Sequence, residues 1–382
     1  MENTIHIAVN NKPSRYERIV LKHLRRMDKG RMDLELPNGD QLVLGDGHGI
    51  RAQMRIRDAA FYKRCILYGK AGLGEAYADG LWDSENITSV ISWTLQNTRH
   101  TPWWRWFTRR PTPPRYDLSN DFFRLFLDET MTPSAAYFER DGMDLEEAQQ
   151  AKYQRLCQQL HLQPTDHVLD LGCGWGGSAI YIARNYGCKV TALTTAEQEY
   201  QLASRRVRQA GLDHLVSILQ KDYRKLTGSF DKIVSVEIKE PADHIFFRKC
   251  RQLLKPDGIM ALQIITHPGT RYTAHRSGGM TLIDLKELGL HYAATLRVWF
   301  MHFNSRLAEV RQLGFDDRFI RKWNYYLCYR EAAFRTRQLH VMQLVYQATP
   351  TPSPDDRNPS FRPIPRTDIL TSSHQNSRRV DQ

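Results

Sequence analysis

Val168-Leu169-Asp170-Leu171-Gly172-Cys173-Gly174-Trp175-Gly176-Gly177 runs from an apolar stretch into a glycine-rich turn, and SAIYIARNYG continues it with helical spacing. The pattern predicts a buried strand, a tight turn and a helix. Glycines at 172, 174 and 177 let the backbone approach a ligand closely, and the helix start offers free N–H groups. Formally the turn also matches G-x-G-x-x-G, so the flanking residues decide between ligands. Asp170 ends the strand just before the turn, where a negative charge sits badly beside a pyrophosphate and well beside an ammonium group. The second strand ends in Thr194-Thr195, without the acidic residue that would hold a ribose diol. Both features count against a dinucleotide.

Outward from this turn, strand and helix patterns alternate. Strands are expected at 167–170, 189–193, 216–219, 232–236 and 259–265, with helices beginning near Gly177, Ala196 and Asp243. A helix over 145–160, acidic at its front, leads into them. The alternation predicts a mostly parallel, doubly wound α/β sheet, and HVMQLVY at 340–346 would complete it as an antiparallel strand. Toward the N-terminus, DLELPNGDQLVL reads as a hairpin around Asn38-Gly39. RIRDAAFYKRCILYGKAGLGEAYADGLWDS reads as a helical stretch broken at Gly72 and Gly74, followed by helix to about Asn97. NTRHTPWWRWFTRRPTPPRYDLSN, rich in Pro, Trp and Arg, reads as a linker or an interfacial element. The expected organisation is an N-terminal unit over 1–110, a catalytic unit over 111–347, and a disordered tail over 348–382 that is Pro-, Ser- and Arg-rich.

Composition narrows the class. With 41% hydrophobic and 25% charged residues in 382, the chain reads as a soluble globular protein of more than one unit. No apolar run reaches transmembrane length, and the first residues lack the apolar core of a secretory signal. The six cysteines form no C-x-x-C pair and no zinc-like spacing, so reduced thiols, a cytoplasmic setting and no metal site are expected. A net charge of +12 favours a polyanionic partner, either nucleic acid or an anionic membrane surface.

D-x-G-x-G opening an α/β region resembles the class I S-adenosylmethionine methyltransferases, in which Asp222 of KDYRKL would stand near the adenine. The surrounding segments make the resemblance specific. GKAGLGEAYADGLWDS, YDLSNDFFRLFLD, AYFE, LDLGCGWGG, LTTAEQ, FDKIVSVE, LLKPDGIMALQIIT, LGLHYAATLRVW and LGFDDRFIRKWNYYLCYREAAFRTRQL occur in order, up to about residue 347. Together they resemble the cyclopropane-fatty-acyl-phospholipid synthases and mycolic acid cyclopropane synthases. The resemblance implies a class I S-adenosylmethionine methyltransferase sheet with a smaller, mainly helical N-terminal domain that is lipid- or membrane-associated.

It also implies an activity: transfer of a methylene group from S-adenosylmethionine to the cis double bond of an unsaturated phospholipid acyl chain, forming a cyclopropane fatty acid. The alkene attacks the sulfonium methyl and becomes a carbocation; a base then takes a proton from the new methyl group and the ring closes. Such a site needs a water-free pocket. Aromatic faces stabilise a cation there by roughly 1–2 kcal/mol each, and Tyr137, Phe138, Tyr292 and Tyr325 are candidates. The family holds bicarbonate as its base, at positions that match Glu240, Gln263 and Tyr292. The cofactor positions that match are Ser134, Asp170, Gly172, Gly174, Gly176, Gly177, Thr194, Gln198, Asp222 and Tyr223. Expected partners are membrane phospholipid and an anionic membrane surface, with a homodimer implied. Nucleic acid is not expected, since no RNA-binding module is present. The expected location is cytoplasmic, peripheral to the inner face of the membrane.

Several positions depart from the family pattern. Ser119 stands where Gly is usual, Ala135 replaces a cysteine of S-C-A-Y-F, and Arg330 aligns with a C-terminal cysteine, Cys328 lying two residues earlier. The segment after Glu240 (Pro241-Ala242-Asp243-His244) is shortened, and between Arg276 and Leu288 only SGGMTLIDLKE stands where a further helix and strand are expected. Two readings follow: an active lipid methylene or methyl transferase, or a divergent paralogue that binds cofactor or lipid with methyl-branching or lost catalysis. Trp103, Trp104, Trp106 and Phe107, interleaved with Arg105, Arg109 and Arg110, suit either membrane docking or a hinge packed between units.

Overall fold

Residues 13–97, 118–238, 244–267, 276–277 and 279–349 are described by a computed structural model. Glu240, residues 241–243 of the shortened segment, the Trp/Arg stretch and the tail from residue 350 lie outside the described residues, as does the expected boundary near 110. The last strand, His340–Ala348, takes in the first residue of the expected tail.

In the N-terminal part, helix α1 (Arg15–Leu24) is opened by a Ser14–Glu17 capping box. Strands β1 (Arg31–Glu35) and β2 (Gln41–Leu44) form the expected hairpin. The next segment corrects the sequence reading. Arg51–Ile56 is a strand, β3, paired parallel to β1 and burying Ala52, Met54 and Ile56. Its two-residue period competes with helical spacing, and pairing with β1 decides the matter. Helix α2 (Ala60–Ala78) begins only after it. The expected breaks at Gly72 and Gly74 are not breaks. The kink is at Gly69 (φ 54°), and the two later glycines serve packing: a Cβ on Gly74 would lie 2.6 Å from the Tyr325 ring. Strand β4 (Trp82–Asp83) closes a sheet of order β2-β1-β3-β4, and helix α3 (Ile87–Gln96), capped by Asn86, is almost wholly buried.

Helix α4 (Asn120–Arg124) is short, and the departure at Ser119 explains its start. The Ser119 hydroxyl caps it by accepting from the Phe122 N–H at 3.2 Å, a contact glycine cannot make. Helix α5 (Leu145–Leu160) follows. The strands then come nearly where expected: β5 (His167–Leu171), β6 (Lys189–Thr194), β7 (Val216–Gln220), β8 (Phe230–Val236) and β9 (Leu254–Thr266). Helices α6 (Gly177–Tyr186), α7 (Glu197–Gln209) and α8 (His244–Leu253) connect them.

Beyond β9 come β10 (Arg276–Ser277) and β11 (Met280–Glu287), then helices α9 (Gly289–Ser305), α10 (Leu307–Gln312) and α11 (Asp317–Arg335), and finally β12 (His340–Ala348). The eight strands order as β10-β11-β12-β9-β8-β5-β6-β7, parallel from β9 to β7, with β12 antiparallel to both of its neighbours. The shortened stretch after Arg276 therefore keeps its strand. MTLIDLKE pairs with β12 from Met280↔Ala348 to Glu287↔Met342.

Strand order reverses between β5 and β8, and the crevice beyond their C-terminal ends is where such sheets take ligands. Helices α5–α7 cover one face of the sheet and α8 covers the other. A separate aromatic-rich core joins the N-terminal part to α4, α9 and α11. Among the described residues no helix is long and apolar enough to cross a membrane, and all six cysteines are buried and unpaired.

Candidate active site

The glycine turn is built on β5. Gly172, Gly174 and Gly176 take φ of 79°, 53° and 83°, a region that side-chain-bearing residues avoid. The Gly172 and Cys173 N–H groups donate to the Leu193 carbonyl at 3.0 and 2.9 Å, tying the turn to β6. Gly177 opens α6 with no room to spare, since a Cβ there would lie 2.8 Å from the Thr130 carbonyl oxygen. Arg206 of α7 donates to the carbonyls of Thr130 (2.9 Å), Trp175 (2.7 Å) and Glu129 (2.8 Å), clamping segment 128–134 against the turn.

These pieces enclose one cavity, walled by Ser134, Gly172, Gly174, Gly177, Thr194 and Tyr223 of the expected cofactor positions, with Glu199, Lys221 and Glu237 in addition. Asp170 lies buried beneath the turn, its carboxylate accepting from the Ser178 hydroxyl. Burial pushes its pKa up to about 7, so an incoming ammonium would find a group ready to ionise. The Thr194 hydroxyl donates to Glu199 at 2.5 Å. Gly176 packs against Ala203, Gln198 is exposed, and Asp222 is engaged by its neighbour. The Arg224 guanidinium forks onto Asp222 at 2.9 and 2.7 Å and holds that carboxyl below the usual range.

The second half of the site is the segment Ser134–Phe138, which joins this cavity to α9 and β9. The Ala135 N–H donates to Glu237 Oε1 at 2.9 Å, and the Ala136 N–H to the Thr295 hydroxyl at 3.0 Å. Gln263, fully buried on β9, donates from Nε2 to the same Glu237 oxygen (2.9 Å) and to the Ala135 carbonyl (3.2 Å). Its Oε1 accepts from Gln343 at 2.9 Å, and Gln343 accepts in turn from Arg155 at 3.0 Å. Gln263 is thus held from both sides.

Glu237 follows β8 directly, at φ 52°, and is the residue that sequence reading missed. It was within reach. VEIKE places two carboxylates three residues apart at the end of the strand beside the switch point, and only the second was singled out.

Tyr292 of α9 is buried, stacked on Phe334 at 4.7 Å and edge-on to Trp299 at 6.0 Å. Burial holds its phenol well above the ordinary value. The Arg330 guanidinium lies 5.6 Å from the Tyr292 ring centre, so the departure at 330 places a cation in this wall. Tyr137 is half-buried, and its hydroxyl accepts from Lys286 at 2.6 Å. Phe138 packs on the aromatic core. Tyr325 is elsewhere: it packs against Tyr77 and Gly74 of α2 and serves the N-terminal part.

A family model described as Mycolic acid cyclopropane synthetase matches residues 109–278 and 272–344. The chain is 33% identical over 340 residues to the cyclopropane-fatty-acyl-phospholipid synthase of Escherichia coli K12, covering 77% of this chain and 87% of the relative. It is also 33% identical over 346 residues to the tuberculostearic acid methyltransferase UfaA1 of Mycobacterium tuberculosis H37Rv, covering 75% and 81%. Among solved structures, the mycolic acid cyclopropane synthase CmaA1 complexed with SAH and CTAB superposes with a TM-score of 0.56 at 29% identity, covering 61% of this chain and 95% of that one. Strand order, glycine turn, cavity and these likenesses agree: the chain belongs to the mycolic acid cyclopropane synthetase family and is a class I S-adenosylmethionine-dependent methyltransferase.

Proposed function

We propose that this enzyme transfers a methylene unit from S-adenosylmethionine to the cis double bond of an unsaturated phospholipid acyl chain and closes a cyclopropane ring. The observation that carries the reading is the Glu237 carboxylate, which borders the cofactor cavity while Ala135 and Gln263 fix it from the side of α9. When bound, the cofactor supplies a methyl group on a positively charged sulfur. What the chain supplies is a carboxylate fixed by two N–H donors and an aromatic wall that keeps water from a cation.

In this proposal Glu237 accepts the proton that leaves as the ring closes. Gln263 orients it, and Tyr292 offers a ring face to the developing charge. The bicarbonate implied by family resemblance finds no free donor on Gln263, whose N–H groups serve Ala135 and Glu237, so no step is assigned to it. Tyr137, at the other end of the same segment, belongs to the wall. The phospholipid substrate sets the enzyme against the inner face of a membrane, a placement supported by the net charge of +12. Contact with an anionic surface and pairing with a second copy are parts of the proposal.

Likeness to UfaA1 supports a second product, a methyl branch. Expression in a host lacking its own synthase, followed by mass spectrometry and proton NMR of the lipids, separates the readings. A gain of CH₂ on unsaturated chains with upfield ring protons supports the proposal. A gain of CH₂ with olefinic protons and no ring protons, or of CH₂ plus two hydrogens where the host supplies a hydride donor, supports branching. Unmodified lipids from folded protein would sink both. Glu237→Gln should lower turnover by about 100-fold and leave cofactor affinity within a few-fold of wild type.

A further inference from the structure

Behind Ser134 lies a lysine that forms no salt bridge among the described residues. Lys152 of α5 is fully buried, and its ammonium donates to Ser134 Oγ at 2.9 Å and to Gln149 Oε1 at 2.6 Å. Its third direction faces the Tyr153 ring, whose centre is 4.5 Å away. Lys152 makes no ion pair with any carboxylate among the described residues. Glu237 and Asp128 favour its charge only from beyond salt-bridge distance, so a buried ammonium here gains from an anion that arrives from outside. Ser134, which it touches, walls the cofactor cavity.

We propose that Lys152 is a positioning residue for the carboxylate end of the cofactor, acting through Ser134. A lysine N–H donated to Ser134 Oγ occupies that oxygen as acceptor and turns the hydroxyl hydrogen toward the cavity, where it can donate to an anion. The charge behind it adds attraction through a medium with little water. This inference rests on the cofactor reading above and adds a site residue to it.

The surroundings set the protonation. Burial lowers the Lys152 pKa to about 7, while Glu237 after β8 and Asp128 after α4 oppose that shift. Tyr153, on the same helix, hydrogen-bonds Thr132. Asp170 on β5 is the other group brought near neutrality. A carboxylate arriving at Ser134 raises the lysine's pKa, and an ammonium arriving near Asp170 lowers the acid's. Filling the cavity therefore makes Lys152 take up a proton and Asp170 release one.

The test is calorimetry with S-adenosylhomocysteine at pH 7, in two buffers of different ionisation enthalpy, on wild type, Lys152→Met and Asp170→Asn. Wild type should exchange almost no net proton. Lys152→Met should release up to about half a proton, and Asp170→Asn should take up a similar amount. Lys152→Met should also bind about ten-fold more weakly at pH 6.5, the gap narrowing toward pH 8.5. A proton count unchanged by Lys152→Met overturns the proposal, because a merely structural lysine would alter affinity and not the count. If Lys152→Met does not fold, Lys152→Gln, which keeps a donor to Ser134 without the charge, takes its place with the same expected release, and an unchanged count there overturns the proposal equally. Absence of binding by wild type at every pH overturns the cofactor reading itself, and this one with it.

Discussion

Asp170 shows how far one residue can be read. D-x-G-x-G marked it from sequence, and the structure adds that it is buried with the Ser178 hydroxyl donating to its carboxylate. Its folded-state pKa is raised to about 7 from an ordinary value near 3.8. The cofactor-free folded state therefore keeps a proton that the unfolded chain has lost over that interval. Stability from this group falls as pH rises through the window, and the cost is complete above it. Asp170→Asn should melt higher than wild type at pH 8, by an amount on the order of 4 kcal/mol at most, with a smaller gap at pH 5. Urea melts at the two pH values check this, and equal gaps would refute it. Lys152 was not singled out from sequence, though a signal for it was there. The buried stripe of α5 runs Leu145, Ala148, Gln149, Lys152, Tyr153, Leu156, and a lysine on an apolar stripe signals a special environment. Glu237 was harder to place, because its partners Ala135 and Gln263 are 102 and 26 residues away and only folding joins them.

At the scale of elements, the alternating strands and helices were readable because each carries its own period, and α5 matched residue for residue. Errors clustered in α2, where glycine was taken as a breaker. Gly74 is small because the Tyr325 ring of α11 comes close, a reason that no local pattern contains, and Gly72 because the Arg64 carbonyl of α2 itself folds back on it across the kink at Gly69. The two effects compete at Gly74. Alanine in a helix gains about 1 kcal/mol in propensity, but a Cβ 2.6 Å from the Tyr325 ring demands repacking that costs about 1–3 kcal/mol. Gly74→Ala should therefore destabilise, lowering the melting temperature by a few degrees; a rise would mean that Tyr325 yields freely. The same variant with Tyr325→Leu should recover part of the loss, which a double-mutant cycle would measure.

For the whole molecule, the contacts that matter most span more than 200 residues of sequence. Arg318 reaches Glu75 and Asp79 at 2.8 Å, Lys322 reaches Glu75 at 2.8 Å, and Arg321 reaches Asp83 at 2.8 Å while lying 4.0 Å from the Tyr77 ring centre. Beneath this rim the Thr88 hydroxyl donates to buried Glu331 at 2.8 Å. The exposed pairs contribute little singly; the apolar contact of α2 and α3 with α11 dominates. A chain beginning at residue 118 should thus lose its cooperative melt or aggregate, and the full chain should unfold in one calorimetric transition. Two separate transitions, one retained after truncation, would overturn that expectation. Sequence reading divided the chain near residue 110 because charge, proline and tryptophan change there, and composition carries no record of which helix faces which.

Helix α11 belongs to both neighbourhoods. Tyr325 and Arg321 meet the N-terminal part, while Arg330 and Phe334 stand against Tyr292 of α9. A chimera that exchanges N-terminal segments between relatives must therefore carry the matching flank of this helix with them. Cut at the proline-rich stretch alone, the graft would meet a foreign surface, and the misfit would register around Tyr292, the ring proposed to face the developing charge.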